Sequence, residues 1–143
     1  MTEAGTQNLG KAEIQAILEG SPFISFHGMT VETVDAAAGR VSLRMPMRPE
    51  LERGGGKGQF HGGAIASLID TAGDMAVAAL VGGGVPTINF RVDYLRPATG
   101  PSLVGTATVR RAGRTIGVVD IDVHDQEGRL VAVGRGCYST KVG

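Results

Sequence analysis

One long apolar stretch, residues 61–80, constrains the fold more than any other part of the chain. Apolar residues recur along it at intervals of three and four, the spacing of one buried face of an α-helix. They are Ile65, Leu68, Ile69, Ala72, Met75, Ala76, Ala79 and Leu80. Such a helix runs roughly 27 Å at about 1.5 Å per residue. The sequence therefore predicts one long helix that the rest of the chain must cover.

The few polar residues on this helix are candidates for a functional role. Ser67, Asp70, Thr71 and Asp74 are also spaced at helical intervals, so they form a stripe along one side. The chain has no Lys or Arg between Lys57 and Arg91 that could neutralise the two acids from a neighbouring turn. A solvent-facing side of the helix would explain the stripe. The many Ala and Ile residues leave little room for such a side, which favours a functional role for Asp70.

The start of the helix is a second candidate. His61, Gly62 and Gly63 follow a glycine-rich loop, residues 54–60. The backbone N–H groups of a first helical turn have no partner within the helix, and two glycines let a ligand oxygen approach them closely. This predicts an anion or oxyanion site. Alternatively, the glycines only permit a tight turn, and His61 is a capping or core histidine.

Periodicity elsewhere predicts a sheet and one shorter helix. Residues 11–19 carry apolar residues at helical spacing and stop before Gly20, which predicts an N-terminal helix. Apolar and polar residues alternate with period two in six other stretches, which predicts strands. These are residues 29–35, 40–45, 87–96, 102–111, 115–124 and 130–140. Short connections join the last four, so we expect each to pair antiparallel with the next.

These elements predict an α+β protein whose antiparallel sheet of about six strands wraps around one long central helix, preceded by a short N-terminal helix. We divide the 143 residues into an N-terminal segment, 1–21, and a main domain, 22–143. Pro22 is expected to break the chain between them. Prolines and glycines in residues 46–60 predict a loop of about ten to fifteen residues, a length that suggests function.

Composition excludes several classes of function. Fourteen basic and fourteen acidic residues cancel, which argues against nucleic acid or an anionic membrane as the main partner. We find no apolar run long enough to cross a bilayer and no basic-then-apolar leader, so we expect a cytoplasmic protein. One cysteine and three histidines without ligand spacing predict no metal site.

Three motifs together resemble a known family. They are His61-Gly62-Gly63 with Asp70 nine residues after the histidine, the strand and turn 87–98, and the basic turn 110–114. From about residue 22 to 138 the chain resembles hotdog-fold acyl-CoA thioesterases of the phenylacetate-pathway (PaaI) type. The resemblance implies a hotdog fold, a homodimer joined through strand 87–96, and commonly a dimer of dimers. It also implies metal-free thioester hydrolysis at the dimer interface, with coenzyme A as part of the substrate and no cofactor.

The resemblance also implies roles for single residues. Asp70 matches the catalytic carboxylate, acting as a general base on water or as a nucleophile. Gly62 matches the oxyanion-binding backbone N–H, with His61 beside it in an orienting role, and Gly63 is expected to bind substrate. Thr87 matches a hydroxyl that helps to hold the attacking water. The basic residues that meet the nucleotide end of coenzyme A match Arg111 and Arg114.

Two positions depart from the family pattern. Relatives usually carry Asn or Gln six residues before the histidine, where this chain has Gly55; Gln59 could supply an amide from elsewhere in the loop. Asp74 lies one turn beyond Asp70, and two acids at this spacing repel, which raises one pKa and could tune the base. Asp74 could equally face the mouth of the substrate channel or a partner chain.

Two other functions remain open at this point. A hotdog enoyl-CoA hydratase or dehydratase would use a histidine and an acid, for which His61 and Asp70 are available. A catalytically weak acyl-CoA-binding protein would be consistent with the missing amide at Gly55. The sequence does not choose among an arylacetyl, a benzoyl and a medium-chain acyl group.

Overall fold

The computed structural model describes residues 7–143, so the first six residues of the predicted 1–21 segment lie outside it. Three helices and six strands follow one another, with a short 3₁₀-helix at Pro49–Leu51. The helices are α1 (Lys11–Gly20), α2 (Pro22–Phe26) and α3 (Gly62–Val81). The strands are β1 (Thr30–Asp35), β2 (Arg40–Pro46), β3 (Thr87–Tyr94), β4 (Ser102–Ala112), β5 (Ile116–Asp125) and β6 (Leu130–Ser139).

The six strands form one antiparallel sheet in the order β1-β2-β4-β5-β6-β3. The expectation that β3 pairs with β4 is wrong, because β3 lies at the edge beside β6. The connection after β3 is instead tied to the loop before α3, where Phe60 N–H donates to Ala98 O at 2.8 Å and Met47 N–H donates to Pro101 O at 2.8 Å. It therefore crosses the sheet rather than turning back on β3.

The sheet wraps around α3, which supplies the centre of the core and confirms the predicted hotdog fold. Leu68, Ile69 and Met75 are fully buried against side chains of the sheet. The helix ends at Gly82, whose positive φ of 93° is a conformation that glycine adopts without steric cost. The single long central helix and its bounds agree with the periodicity of the sequence.

The expectation that no apolar run could cross a bilayer is wrong by length and composition. Residues 62–81 form a helix long and apolar enough to do so. In the structure, however, 67% of its most apolar window is buried inside the protein. A helix that a sheet encloses must be apolar on most sides. The central helix of this fold is therefore as long and as apolar as a membrane-spanning helix.

The N-terminal helices pack onto this core. In α1, Ile14 and Leu18 are buried in the same cluster as α3. Pro22 does not simply break the chain, because it occupies the first turn of α2, where a missing N–H does no harm, and the Ser21 hydroxyl accepts from Ile24 N–H at 3.4 Å. Helix α2 lies beside α3, because Phe23 and Ile24 line the same cleft as Asp70 and Thr71.

The predicted loop between β2 and α3 is more ordered than expected. After the 3₁₀-helix, Glu52 pairs with Phe60 and Gln59 pairs with Thr99 as isolated bridges. Arg53 N–H also donates to Gln59 O at 2.8 Å. These bonds close the glycine-rich segment into a narrow loop at the start of α3.

Candidate active site

The polar stripe of α3 lines a cleft of about 340 Å³, here called the mid-helix cleft. Ser67, Asp70, Thr71 and Asp74 all contribute to it, as the helical spacing predicts. The other wall is largely apolar and is formed by Phe23, Ile24 and Phe90. The cleft therefore joins a carboxylate face to an apolar face.

Asp70 and Thr87 meet in this part of the molecule. The Thr87 hydroxyl, at the start of β3, donates to Asp70 Oδ1 at 2.7 Å. Among the described residues, no donor bonds to the second oxygen, Oδ2. The hydrogen bond fixes the carboxylate and leaves Oδ2 without a donor in the described part of the chain. The threonine oxygen keeps lone pairs that can still accept a hydrogen bond.

Asp74 is the more enclosed of the two acids. Its Oδ1 accepts from Val85 N–H at 3.1 Å, which ties α3 to the connection before β3. The pKa of Asp74 is raised from 3.8 to about 6, mainly by burial and to a smaller extent by the charge of Asp70, while the hydrogen bond from Val85 opposes both. Asp74 therefore takes up a proton at a higher pH than an exposed carboxyl group does.

Tyr138 contacts the backbone of Asp70 from the core side of α3, and the sequence did not predict this contact. Its side chain is fully buried, and its hydroxyl donates to the backbone oxygen of Asp70 at 3.1 Å. The ring passes so close to Gly73 that an added Cβ there would lie 2.1 Å from the hydroxyl oxygen. Burial, with the charges of Asp70 and Asp74, raises the pKa of Tyr138. A glycine inside the apolar helix was the available signal.

A second cleft, of about 370 Å³, lies at the start of α3 and is here called the helix-end cleft. Gly62, Gln59 and Tyr94 line it, together with two arginines, Arg53 and Arg96. The Tyr94 hydroxyl donates to Gly62 O at 2.6 Å, so the end of β3 packs on the first turn of the helix. This cleft contains no acid.

The first turn of α3 leaves one backbone N–H available. His61 is the N-cap, and its Nδ1 accepts from Gly63 N–H at 2.8 Å. Gly63 N–H is therefore used internally. Gly62 N–H has no acceptor among residues 7–143 and points out of the start of the helix, where the dipole favours negative charge.

Of the remaining candidate residues, only Gln59 lines one of the two clefts. Gln59 lines the helix-end cleft, and its amide makes no hydrogen bond with any residue in the described range. Gly55 is at the exposed tip of the loop, where φ is +81° and an added Cβ would meet nothing. Arg111, near the end of β4, and Arg114, in the turn between β4 and β5, are both exposed and line neither cleft.

The two clefts are too far apart to act together within one chain. Gly62 and Asp70 are eight residues apart on one helix, about 12 Å along its axis. A thioester carbonyl on Gly62 N–H is therefore out of reach of Asp70 of the same chain. However, β3 touches both clefts, because Thr87 at its start holds Asp70 and Tyr94 at its end contacts Gly62.

A sheet wrapped around one helix, with an acid on that helix and an open N–H at its start, defines the class of hotdog hydrolases. The family model described as "Thioesterase superfamily" matches residues 57–132, which is more than half of the chain. The chain belongs to the thioesterase superfamily.

Individual relatives agree with this assignment. A Halobacterium salinarum protein named "Putative esterase" is 43% identical over 138 residues, which cover 89% of each chain. Human acyl-coenzyme A thioesterase 13 is 33% identical over 109 residues, 73% of this chain and 76% of its own. The solved structure of the Escherichia coli PaaI protein from the phenylacetic acid degradation operon has a TM-score of 0.78 at 28% identity, covering 93% of this chain and 91% of the other. Hydrolysis of thioesters in general is thereby supported.

Proposed function

We propose that this protein hydrolyses acyl-CoA thioesters to a free acid and coenzyme A, in the manner of the PaaI-type enzymes. The observation that carries the proposal is the pair of Asp70 and Thr87, in which the hydroxyl fixes one carboxylate oxygen and leaves the other open. Thioester hydrolysis needs such a base and an oxyanion donor. Gly62 N–H is the matching donor.

The chemistry follows from these two groups. Asp70 Oδ2 takes a proton from a water while the water oxygen attacks the thioester carbon, and the carbonyl oxygen becomes an oxyanion. Gly62 N–H donates to that oxyanion, and the positive end of the α3 dipole stabilises it. The carbon–sulfur bond then breaks, and coenzyme A leaves as a thiol after taking up the proton. In the alternative, Asp70 Oδ2 itself attacks the thioester carbon, and the carbon–sulfur bond breaks to give an anhydride and the coenzyme A thiolate. Water then hydrolyses the anhydride to the free acid and Asp70, and a proton from that water goes to the thiolate.

The proposed active unit is a homodimer joined through β3. This strand is at the sheet edge, and its side chains are unusually exposed for apolar residues: Ile88 by 52%, Phe90 by 39% and Tyr94 by 53%. An uncovered apolar edge strand is a template for pairing with a second copy. Antiparallel pairing about a two-fold axis places the Thr87 end of one β3 beside the Tyr94 end of the other.

This arrangement would complete the site. Asp70 of one chain, held at the Thr87 end, comes to Gly62 of the second chain, held at the Tyr94 end. The 12 Å separation along α3, estimated at about 1.5 Å per residue, then no longer prevents the two groups from acting on one thioester. Gln59 beside Gly62 supplies the amide that Gly55 lacks. Assembly of two dimers into a tetramer remains a prediction.

The acyl group would occupy the apolar wall of the mid-helix cleft. Phe23, Ile24 and Phe90 are all within reach of a chain or ring whose carbonyl lies near Asp70. The volume of about 340 Å³ is at the lower end of small-molecule sites, which favours a medium-chain or an aryl group over a long chain.

The test is thiol release from a panel of acyl-CoAs, from acetyl through decanoyl to phenylacetyl and benzoyl, by wild type and by Asp70→Asn. We expect one substrate class to be cleaved and kcat to fall about 10³-fold in the variant, because removing a general base costs typically 10²–10⁴. Asn keeps the size of the side chain and an oxygen that can accept from Thr87.

The alternatives give different results in the same experiment. Retained activity in Asp70→Asn would refute the proposed role of the acid. An enoyl-CoA is added to the panel, and loss of its absorbance without thiol release would indicate a hydratase. Acyl-CoA binding with no turnover by the wild type would indicate a binding protein.

A further inference from the structure

Five arginines of the chain have no acidic partner among residues 7–143. Six of the eleven arginines lie within 4.0 Å of an Asp or Glu oxygen, as in the pair of Arg129 and Asp125. The other five are Arg40, Arg53, Arg96, Arg111 and Arg114. Two of these five, Arg53 and Arg96, line the same helix-end cleft.

The backbones of these two arginines are fixed while their guanidinium groups are free. Arg53 N–H donates to Gln59 O at 2.8 Å, and this bond fixes the backbone of Arg53 where the two ends of the glycine-rich loop meet. Arg96 N–H donates to Val131 O at 3.3 Å, and Pro97 follows it. Neither guanidinium makes a hydrogen bond within the part of the chain that the structure describes. A fixed backbone with a free, planar, five-donor side chain suits recognition of phosphate.

The cleft also contains the proposed oxyanion donor. Gly62 N–H and the unpaired amide of Gln59 are in the same cleft as the two guanidinium groups. If the thioester carbonyl accepts from Gly62 N–H, the coenzyme A portion must extend from the cleft towards solvent. Arg53 and Arg96 make the exposed opening of this cleft basic. Its lining includes no acid that would repel an anion.

We propose that Arg53 and Arg96 bind the phosphate groups of the substrate's coenzyme A portion, on the same chain that supplies Gly62. This inference rests on the proposed function and adds two binding residues to it. Each guanidinium donates to phosphate oxygens, and both charges add to the attraction of the α3 N-terminus for anions.

The proposal differs from the assignment to Arg111 and Arg114 that the family resemblance implies. Those residues flank the start of β5, where an added Cβ on Gly117 would lie 3.2 Å from Val77. Val77 is fifteen residues beyond Gly62, about 22 Å along α3. Within one chain they are therefore at the far end of the helix, whereas Arg53 and Arg96 share a cleft with Gly62.

The experiment compares ligands with and without phosphate on the full-length protein. Binding of coenzyme A is measured by titration calorimetry, and KM is measured for one acyl-CoA and for the matching acyl-pantetheine, which lacks the nucleotide. In Arg53→Ala/Arg96→Ala we expect Kd for coenzyme A and KM for acyl-CoA to rise about tenfold or more, since hydrogen bonds to charged groups are the strong ones. Acyl-pantetheine should show the wild-type KM.

Two further variants make the result specific. Arg40→Ala/Lys141→Ala removes two exposed charges elsewhere and should bind coenzyme A as the wild type does. Arg111→Ala/Arg114→Ala tests the other assignment. A loss of coenzyme A affinity confined to that variant would overturn the proposal, and so would equal KM changes for both thioesters in Arg53→Ala/Arg96→Ala.

The same data separate this proposal from the hydrolysis itself. A wild type that binds coenzyme A without cleaving any thioester would refute the proposed reaction, and the calorimetric comparison would still decide the role of the two arginines. A wild type that binds no coenzyme A would overturn the arginine proposal.

Discussion

The two clefts on α3 differ in the kind of group that they offer. The helix-end cleft offers a backbone N–H, an amide and two guanidinium groups, all of which favour a negative ligand. The mid-helix cleft offers two carboxylates and an apolar wall. In the proposed reaction, the first cleft can stabilise developing negative charge but has no carboxylate to act as a base, and the second has the carboxylate but no backbone N–H for the oxyanion.

This difference shows why a single chain is an incomplete catalyst in our account. Thioester hydrolysis needs a base and an oxyanion donor at the same carbonyl group. About 12 Å of helix separates Asp70 from Gly62 in one chain. Because β3 touches Asp70 through Thr87 and Gly62 through Tyr94, pairing of two β3 edges is the simplest way to bring them together.

The largest effect on the helix-end cleft is expected from Gly62→Pro. Proline removes the N–H but is tolerated in the first helical turn, and His61 already has the extended conformation, φ −64° and ψ 140°, that precedes proline readily. We expect kcat to fall about 10²–10³-fold, the usual cost of one lost oxyanion donor. Thiol release and circular dichroism would measure activity and fold.

Gly62→Ala is the matched control. It adds a Cβ 3.2 Å from the Tyr94 hydroxyl oxygen, a tight contact, but it keeps the N–H. It should retain most of the activity. Equal losses in both variants would show that crowding at Tyr94, and not the N–H, is responsible.

A smaller effect is expected from Asp74→Asn in the mid-helix cleft, and it depends on pH. The folded-state pKa of about 6 exceeds the ordinary value of 3.8, so the charged form destabilises the fold above about pH 6. Asn stays neutral and can still accept from Val85 N–H. We expect the variant to be more stable than wild type by about 1–3 kcal/mol above pH 6, with the gain disappearing towards pH 4.

Denaturant unfolding at several pH values checks this prediction. Asp122→Asn, on the exposed outer face of β5, removes a charge of the same sign without burial and should show no such dependence. A constant difference between Asp74→Asn and wild type from pH 4 to pH 8 would contradict the proposed cause.

The fold was largely predictable from the sequence because its main signals are local. The 3.6-residue period of α3 and the alternation in the strands each depend on a few neighbouring residues. The place of β3 was not predictable, because a short connection normally joins paired strands. Here the bonds from Phe60 and Met47 redirect that connection, and they join segments distant in sequence.

The candidate site was predictable to a similar extent. The stripe of Asp70 and Asp74 follows from helical spacing. Thr87 was a candidate only through the family resemblance, and its hydrogen bond to Asp70 was not predicted. Gly73 inside the helix indicates that another group approaches closely there, but nothing local identifies that group as Tyr138 or shows which helix carbonyl its hydroxyl reaches. The separation of Gly62 from Asp70, by contrast, could have been calculated from the helical rise alone.

The proposal that Asp70 of one chain and Gly62 of the other form one active site is tested most directly by mixing two inactive variants. Differently tagged Asp70→Asn and Gly62→Pro chains are co-expressed, and the mixed species is purified and assayed for thiol release. If Asp70 and Gly62 act from different chains, each mixed dimer has one intact site and shows about half of the wild-type activity per dimer. Mixed dimers no more active than either parent would contradict the account.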